Sequence, residues 1–128
     1  MRNNQDFALG SLLGLACGDA LGTTVEFAPR DSFPLHTEIT GGGIFKLAPG
    51  EWTDDTAMAL CLATSLVDCQ GFDSKDQLKN YLRWYQDGYL ACQHICIDIG
   101  LATRKALKLF AETQTDYAGS LSWFGKIE

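Results

Sequence analysis

Gly10, Gly14, Gly18 and Gly22 recur at every fourth position through the first apolar stretch of the chain. In a helix that spacing puts all four on nearly one face, and each costs about 1 kcal/mol of helix propensity relative to alanine. Tertiary packing has to offset that cost, and the gain a bare stripe offers is close approach of another backbone. In a bilayer the same pattern would bring helices together. Asp19 stands in its midst, however, and no apolar run reaches the ~18–20 residues a span requires, so no membrane partner is expected. Arg2 followed by Phe7–Cys17 has the outline of an export signal. Asp6 dilutes its charged start, Gly10 and Gly14 break the apolar run, and the pattern continues past Asp19. The segment therefore reads as an amphipathic helix in a core.

Thirteen of 128 residues are glycine and only three are proline, so the glycines are placed and do not belong to a low-complexity linker. The length suits one domain and not two. Ten Lys+Arg against sixteen Asp+Glu give a net charge of −6. With no basic run, the chain lacks the means to neutralise phosphates, and nucleic acid is excluded as a partner. A cation, or a neutral or cationic partner, suits it better. The five cysteines Cys17, Cys61, Cys69, Cys92 and Cys96 are odd in number and form no Cys-x-x-Cys. Most sit in apolar runs, which reads as reduced, buried thiols of a cytoplasmic protein. Cys92, His94 and Cys96 crowd together, but on a helix His94 would point away from the two cysteines, and no fourth zinc ligand is near.

Beyond the first helix, residues Ala28–Glu51 hold all three prolines and the triple Gly41-Gly42-Gly43. So long a connection is usually functional or mobile, with short β segments conceivable at Thr37–Thr40 or Ile44–Leu47. Trp52-Thr53-Asp54-Asp55-Thr56 opens a second helix that runs to about Asp68 and stops by Gly71. A third begins with Ser74 and Gln77 in capping-box relation. It carries Leu78, Tyr81, Leu82 and Tyr85 on one stripe and ends at Gly88. A fourth covers part of Asp98–Ala111, with Ile99, Ala102, Ala106, Leu109 and Phe110 as its apolar face. The tail from Thr113 is polar and glycine-containing. The expected class is all-α, with one long loop between the first two main helices.

Chemistry concentrates at Thr53-Asp54-Asp55-Thr56. Thr and Asp are preferred helix caps, and first-turn carboxylates gain roughly 0.3–1 kcal/mol each from the dipole, so taken alone the stretch is a cap. Two adjacent carboxylates and a hydroxyl are also an oxygen donor set for Mg²⁺ or Mn²⁺. Consecutive helical residues diverge by about 100°, yet a cap residue and first turn can converge just beyond the axis. Further ligands would have to come from elsewhere. Asp19 and Glu26 supply two more acids near the end of the first helix.

The segments Gly14-x-x-x-Gly18-Asp19-Ala20-Leu21-Gly22, Val25-Glu26-Phe27, Trp52-Thr53-Asp54-Asp55-Thr56-Ala57-Met58 and Asp98-Ile99-Gly100-x-x-Thr103 with Ala106-Leu107 resemble, in order and spacing, the ADP-ribosylglycohydrolase family. Together they cover about Phe7 to Leu109. The resemblance implies a compact helical fold with a pair of Mg²⁺ or Mn²⁺ ions. It also implies hydrolysis of the bond joining ADP-ribose to a protein side chain, often arginine. Position by position, Thr53, Asp54 and Asp55 match metal ligands, and Glu26 matches the loop carboxylate beside the reacting ribose. Asp19 matches a residue behind the ligands, and the Asp98–Thr103 segment matches a signature with no assigned role. Cleavage of a ribosyl bond builds oxocarbenium character. The metals would orient the sugar and acidify water, Glu26 or Asp55 would manage the proton, and the 28–51 loop would serve as a flap.

The family pattern continues with a Gly-Asn-Gly-like segment and a distant Asp-x-Asp-Ser/Thr motif that supplies the rest of the metal site. Nothing in Thr113–Glu128 matches either. Residues 1–128 are therefore expected to be the N-terminal part of a truncated domain holding half of a two-metal centre. Its partners are expected to be an ADP-ribosylated protein or ADP-ribose, with a C-terminal half or a self-associated copy as complement. That complement is also expected to cover the glycine stripe. A reading from another class is an inactive relative that holds ADP-ribose or a protein partner without turnover.

Overall fold

A computed structural model describes residues 3–116. Four helices follow one another: α1 Asn4–Gly22, α2 Asp54–Asp68, α3 Ser74–Asp87 and α4 Leu101–Thr113, with a 3₁₀ turn at Thr23–Val25 after α1. The described residues contain no strand. One isolated antiparallel bridge, Gly42–Leu47, is what the β-like stretch near Ile44–Leu47 becomes.

The helix ends follow local chemistry. Asn3 Oδ1 accepts from the Gln5 amide, and the Asp6 carboxylate accepts from the Asn3 amide, both at 3.2 Å. The expected box at Ser74 is displaced by one residue: Asp73 is the cap of α3 and accepts from the Asp76 amide at 2.9 Å. Gly88 ends α3 at φ 68°, and a Cβ there would clash with the His94 carbonyl, so only glycine fits. At the end of α2 the left-handed residue is Gln70, at φ 53°, and Gly71 follows with its amide donating to the Leu66 carbonyl at 3.0 Å. α4 starts at Leu101, inside the expected span.

Helix α1 packs on α2, α2 on α3 and α3 on α4. The core joins Ala57 and Cys61 of α2, Trp84 of α3, Leu107 of α4, and Ala91 and Ile99 from the connection between α3 and α4. Leu78, Tyr81, Leu82 and Tyr85 line it as expected, half-buried around the fully enclosed Trp84. The face of α4 differs from the expected one. Leu107 and Phe110 point inward, whereas Ala102 and Leu109 are exposed and Ile99 is buried ahead of the helix.

Helix α1 departs most. It is not amphipathic: no charged residue lies between Phe7 and Gly18, and apolar residues surround the axis. Leu12, Ala16 and Ala20 form the covered edge, while Phe7, Leu9 and Leu13 are 56%, 58% and 62% exposed. Contrary to expectation, α1 with its 3₁₀ turn is long and apolar enough, by length and composition alone, to cross a membrane. The stripe glycines have no close neighbour either, since a Cβ on Gly10, Gly14, Gly18 or Gly22 meets nothing within 4 Å. All five cysteines are free, but only Cys61 is buried; Cys17 and Cys69 are exposed.

Candidate acidic cleft at the start of helix α2

The start of α2 is capped by a side chain from another helix. Thr53, the cap residue, makes no side-chain capping bond of its own. Instead the carboxylate of Asp19, projecting from the last turns of α1, receives four donors. The Thr53 amide lies 3.1 Å from both of its oxygens and the Thr56 amide 3.0 Å from Oδ2. The Thr53 hydroxyl donates to Oδ1 and the Thr56 hydroxyl to Oδ2, each at 2.7 Å. A charged acceptor at a helix N-terminus satisfies orphan amides and complements the dipole together. The capping reading of Thr53-Asp54-Asp55-Thr56 therefore gives way to a different arrangement. Asp19 is the cap, which leaves Asp54 and Asp55 for other work.

These residues surround a cleft of about 310 Å³, lined by Gly14, Gly18 and Gly22 on one wall and by Asp19, Glu26, Thr53, Asp54, Asp55 and Asp98 around the rest. Glu26, exposed just beyond the 3₁₀ turn, thus shares one cavity with the three residues expected to hold metal. Among the described residues no Lys, Arg or His lines the cavity. Burial, then the negative charges of Asp98 and Asp55, push the Asp54 carboxyl above its ordinary value. The described lining of the cleft is therefore acidic, with no cationic side chain to offset it.

The donor chemistry fits a hard cation. The Thr53 hydroxyl spends its single proton on Asp19, so its remaining lone-pair capacity faces away from that bond. Asp54 and Asp55 add uncompensated carboxylate oxygens, the preferred ligands of Mg²⁺ and Mn²⁺. The fit is partial: among the described residues no three His, Cys, Asp or Glu side chains converge as a complete metal cluster.

Asp98 is the residue the sequence reading left without a role. It sits at φ 59°, its Oδ1 accepts from the following Ile99 amide at 2.7 Å, and it lines the cleft opposite α2. Buried Ile97 and Ile99 flank it, and a lone carboxylate between two core residues is the signal that could have singled it out. The start of the connection that carries it is tied to the residue two positions before α2. The Trp52 indole N–H donates to the Leu90 carbonyl at 3.4 Å, and the Cys92 thiol donates to the Trp52 carbonyl at 3.1 Å. Cys92, His94 and Cys96 lie in turns and irregular backbone, not on a helix. The Cys96 thiol is pushed up to about 11, first by burial and then by Asp54 and Asp98, so it stays protonated at neutral pH.

The long loop does not lie over the cleft as a free flap. Its triple glycine is clasped to the 3₁₀ turn: the Thr24 hydroxyl donates to the Gly41 carbonyl at 2.9 Å, and a Cβ on Gly43 would meet the Thr23 carbonyl oxygen at 2.5 Å. Residues 30–36 instead line a neighbouring hollow that shares Gly18 and Gly22 with the cleft.

A family model described as ADP-ribosylglycohydrolase matches residues 1–125. The chain is 46% identical over 123 residues to ADP-ribosylarginine hydrolase Tri1 of Serratia proteamaculans, covering 96% of this chain and 32% of that protein. It is 52% identical over 103 residues to Tri1 of Pseudomonas putida, covering 80% of this chain and 28% of that one. It is also 36% identical over 118 residues to the ADP-ribosyl-[dinitrogen reductase] glycohydrolase of Rhodospirillum rubrum, covering 89% and 38%. A solved structure described as an ADP-ribosylglycohydrolase-related protein complex superposes with a TM-score of 0.77 at 49% identity, over 94% of this chain and 38% of the other. The chain thus spans about a third of the length of the relatives it matches.

Proposed function

Since the chain belongs to the ADP-ribosylglycohydrolase family, we propose that it supplies one side of an active site that hydrolyses the bond between ADP-ribose and a modified protein side chain, arginine foremost. The observation that carries this reading is the convergence of Glu26, Thr53, Asp54, Asp55 and Asp98 on one cavity with no cationic side chain among its described lining residues. The names of the Serratia and Pseudomonas relatives support arginine as the linkage. Thr53, Asp54 and Asp55 would hold Mg²⁺ or Mn²⁺, two ions in the complete site, and the bound metal supplies Lewis acidity toward the ribose hydroxyls and the attacking water. Asp19 accepts the Thr53 hydroxyl proton, which leaves that oxygen's remaining lone-pair capacity for a ligand. Glu26, exposed at the cavity, would take the proton from water as the bond from the ribose to the guanidinium nitrogen breaks, with Asp55 of the same cavity as the other acceptor. The glycine wall lets a sugar approach the helix backbone, because no side chain projects there. The partner is an ADP-ribosylated protein, and the five free cysteines suit the reducing cytoplasm.

Calorimetry with Mn²⁺ tests the metal assignment without turnover. Binding should weaken by about ten- to a hundredfold in Asp54→Asn and Thr53→Val, the range expected when a metal site loses an organising group, and persist in Thr53→Ser. Hydrolysis of ADP-ribosyl-arginine is then measured with the remainder of a family domain supplied. A chain that binds no divalent ion and stays inert in that mixture overturns the reading. Tight ADP-ribose binding without metal would instead make it a binding module.

A further inference from the structure

Glu26, which lines the cleft, and Phe27 are the two central residues of a tight turn. Glu26 has φ −54° and ψ 133°, Phe27 has φ 59°, and the Ala28 amide donates to the Val25 carbonyl at 2.9 Å. That is the form of a type II turn, whose third position needs a positive φ and is ordinarily glycine or asparagine. A bulky aromatic residue there is a steric outlier. The fold gains little from it, because Phe27 is 68% exposed. Backbone strain of this kind gathers at functional sites, where a ligand is gripped.

The exposed ring is nonetheless held. It meets Phe45 edge to face, with centroids 6.3 Å apart and planes at 70°. Phe45 is half-buried inside the segment closed by the Gly42–Leu47 bridge, which is itself clasped to Thr23 and Thr24. A T-shaped contact engages at most one face of a ring, so Phe27 keeps a face open. Among the described residues no cation covers it; the cation–aromatic pair within the fold is Arg83 over Tyr89, at 3.8 Å. An open aromatic face attracts a cation, a guanidinium above all, and the cleft next to it is acidic. Phe27 and Glu26 spring from Cα atoms about 3.8 Å apart, so a group held at one is within reach of the other. We propose that Phe27 is a specificity-determining residue whose open face stacks on the guanidinium of the modified arginine while Glu26 and the cleft attend to the ribose. A neutral linkage gains nothing from that ring. This rests on the reading of the cleft as a site for ADP-ribosylated arginine and adds to it the group that selects the linkage.

The test uses N-acetylarginine methylamide and its neutral isostere N-acetylcitrulline methylamide, each titrated into the chain and followed by NMR. Wild type should bind the guanidinium probe more tightly than the neutral one. Phe27→Leu should weaken the guanidinium probe about two- to fivefold, the range of an exposed cation–aromatic contact, and Phe27→Trp should restore or strengthen it. Neither substitution should move the affinity for the citrulline probe or the urea midpoint, which a merely structural role would shift. Mn²⁺ affinity, which reports on the cleft itself, should be the same in all three proteins. Guanidinium binding that is absent or indifferent to position 27 overturns the proposal and leaves the reading of the cleft standing. So does a loss in Phe27→Leu that the citrulline probe shares or that Phe27→Trp does not repair. A wild-type chain that binds no Mn²⁺ overturns the reading of the cleft, and this proposal with it.

Discussion

Replacing Asp19 by asparagine is the sharpest test of how the cleft is built. The two side chains have nearly the same shape, but one accepting oxygen becomes an NH₂ group. Oδ1 now serves the Thr53 amide and hydroxyl, while Oδ2 serves the Thr56 amide and hydroxyl and also lies 3.1 Å from the Thr53 amide. With the asparagine oxygen in the Oδ2 position both backbone amides keep an acceptor, and only the Thr53 hydroxyl meets the NH₂ group and must rotate to accept from it. What is lost is the charge on the acceptor: hydrogen bonds to a charged group are worth about 1 kcal/mol more than neutral ones, and removing a negative charge from the helix start costs about 0.3–1 kcal/mol. We expect Asp19→Asn to lower stability by about 1–2 kcal/mol, a fall in Tm of roughly 4–10 °C for a domain of this size. Urea unfolding of wild type, Asp19→Asn, Thr56→Val and the double variant isolates the shared interaction. The coupling energy should be about 1–2 kcal/mol, and additivity within about 0.5 kcal/mol would refute the assignment of Asp19 as the cap of α2.

Trp84 is completely enclosed, yet its indole N–H has no hydrogen-bond partner among the described residues. Trp84→Phe should therefore cost less than about 1.5 kcal/mol, and Trp84→Ala about 3–5 kcal/mol, by chemical denaturation. Gly88→Ala combines left-handed backbone with a clash of the new Cβ against the His94 carbonyl. It should lose at least about 2 kcal/mol, and an unchanged midpoint would contradict the clash. Asp54 yields a pH signature. Its carboxyl is raised above 3.8 by burial, Asp98 and Asp55, so the unfolded chain ionises first as pH rises past that value. Without divalent ions, stability should fall with pH until the folded Asp54 has also ionised, then level off. In Asp54→Asn that decline should vanish, leaving the variant more stable than wild type at pH 7 but not near pH 3.5; parallel pH profiles would count against the electrostatic account.

The parts of this molecule that sequence reveals are those decided within a few neighbouring residues. Gly88 as the stop of α3 and the Leu78–Tyr85 stripe follow from local backbone and period, and both stand where they were expected. Glu26, Thr53, Asp54 and Asp55 were legible as candidates because their motifs resemble a family pattern, and the fold brings them to one cavity. What sequence hides is decided at long range. The cap of α2 comes from Asp19, thirty-four positions before Thr53, and no local pattern distinguishes a remote cap from Thr53 capping its own helix. The α4 face was misphased because Ile99 looks like a helix residue but is buried ahead of the helix. The stripe of α1 suggested a packed neighbour, and the described residues contain none.

The clasp between Thr23–Thr24 and Gly41–Gly43 has a consequence for how such a chain can diversify. It pins both ends of the stretch from residue 27 to residue 40, so that stretch is a closed excursion and not a free lead-in to α2. Lengthening a closed loop is inexpensive, about 0.6 kcal/mol for each doubling, and the strain of doing so stops at the clasp. Residues 30–36 border the cleft from outside. They can therefore vary in length and character, while Glu26, held on the other side of the knot, keeps its place in one cavity with Asp54 and Asp55.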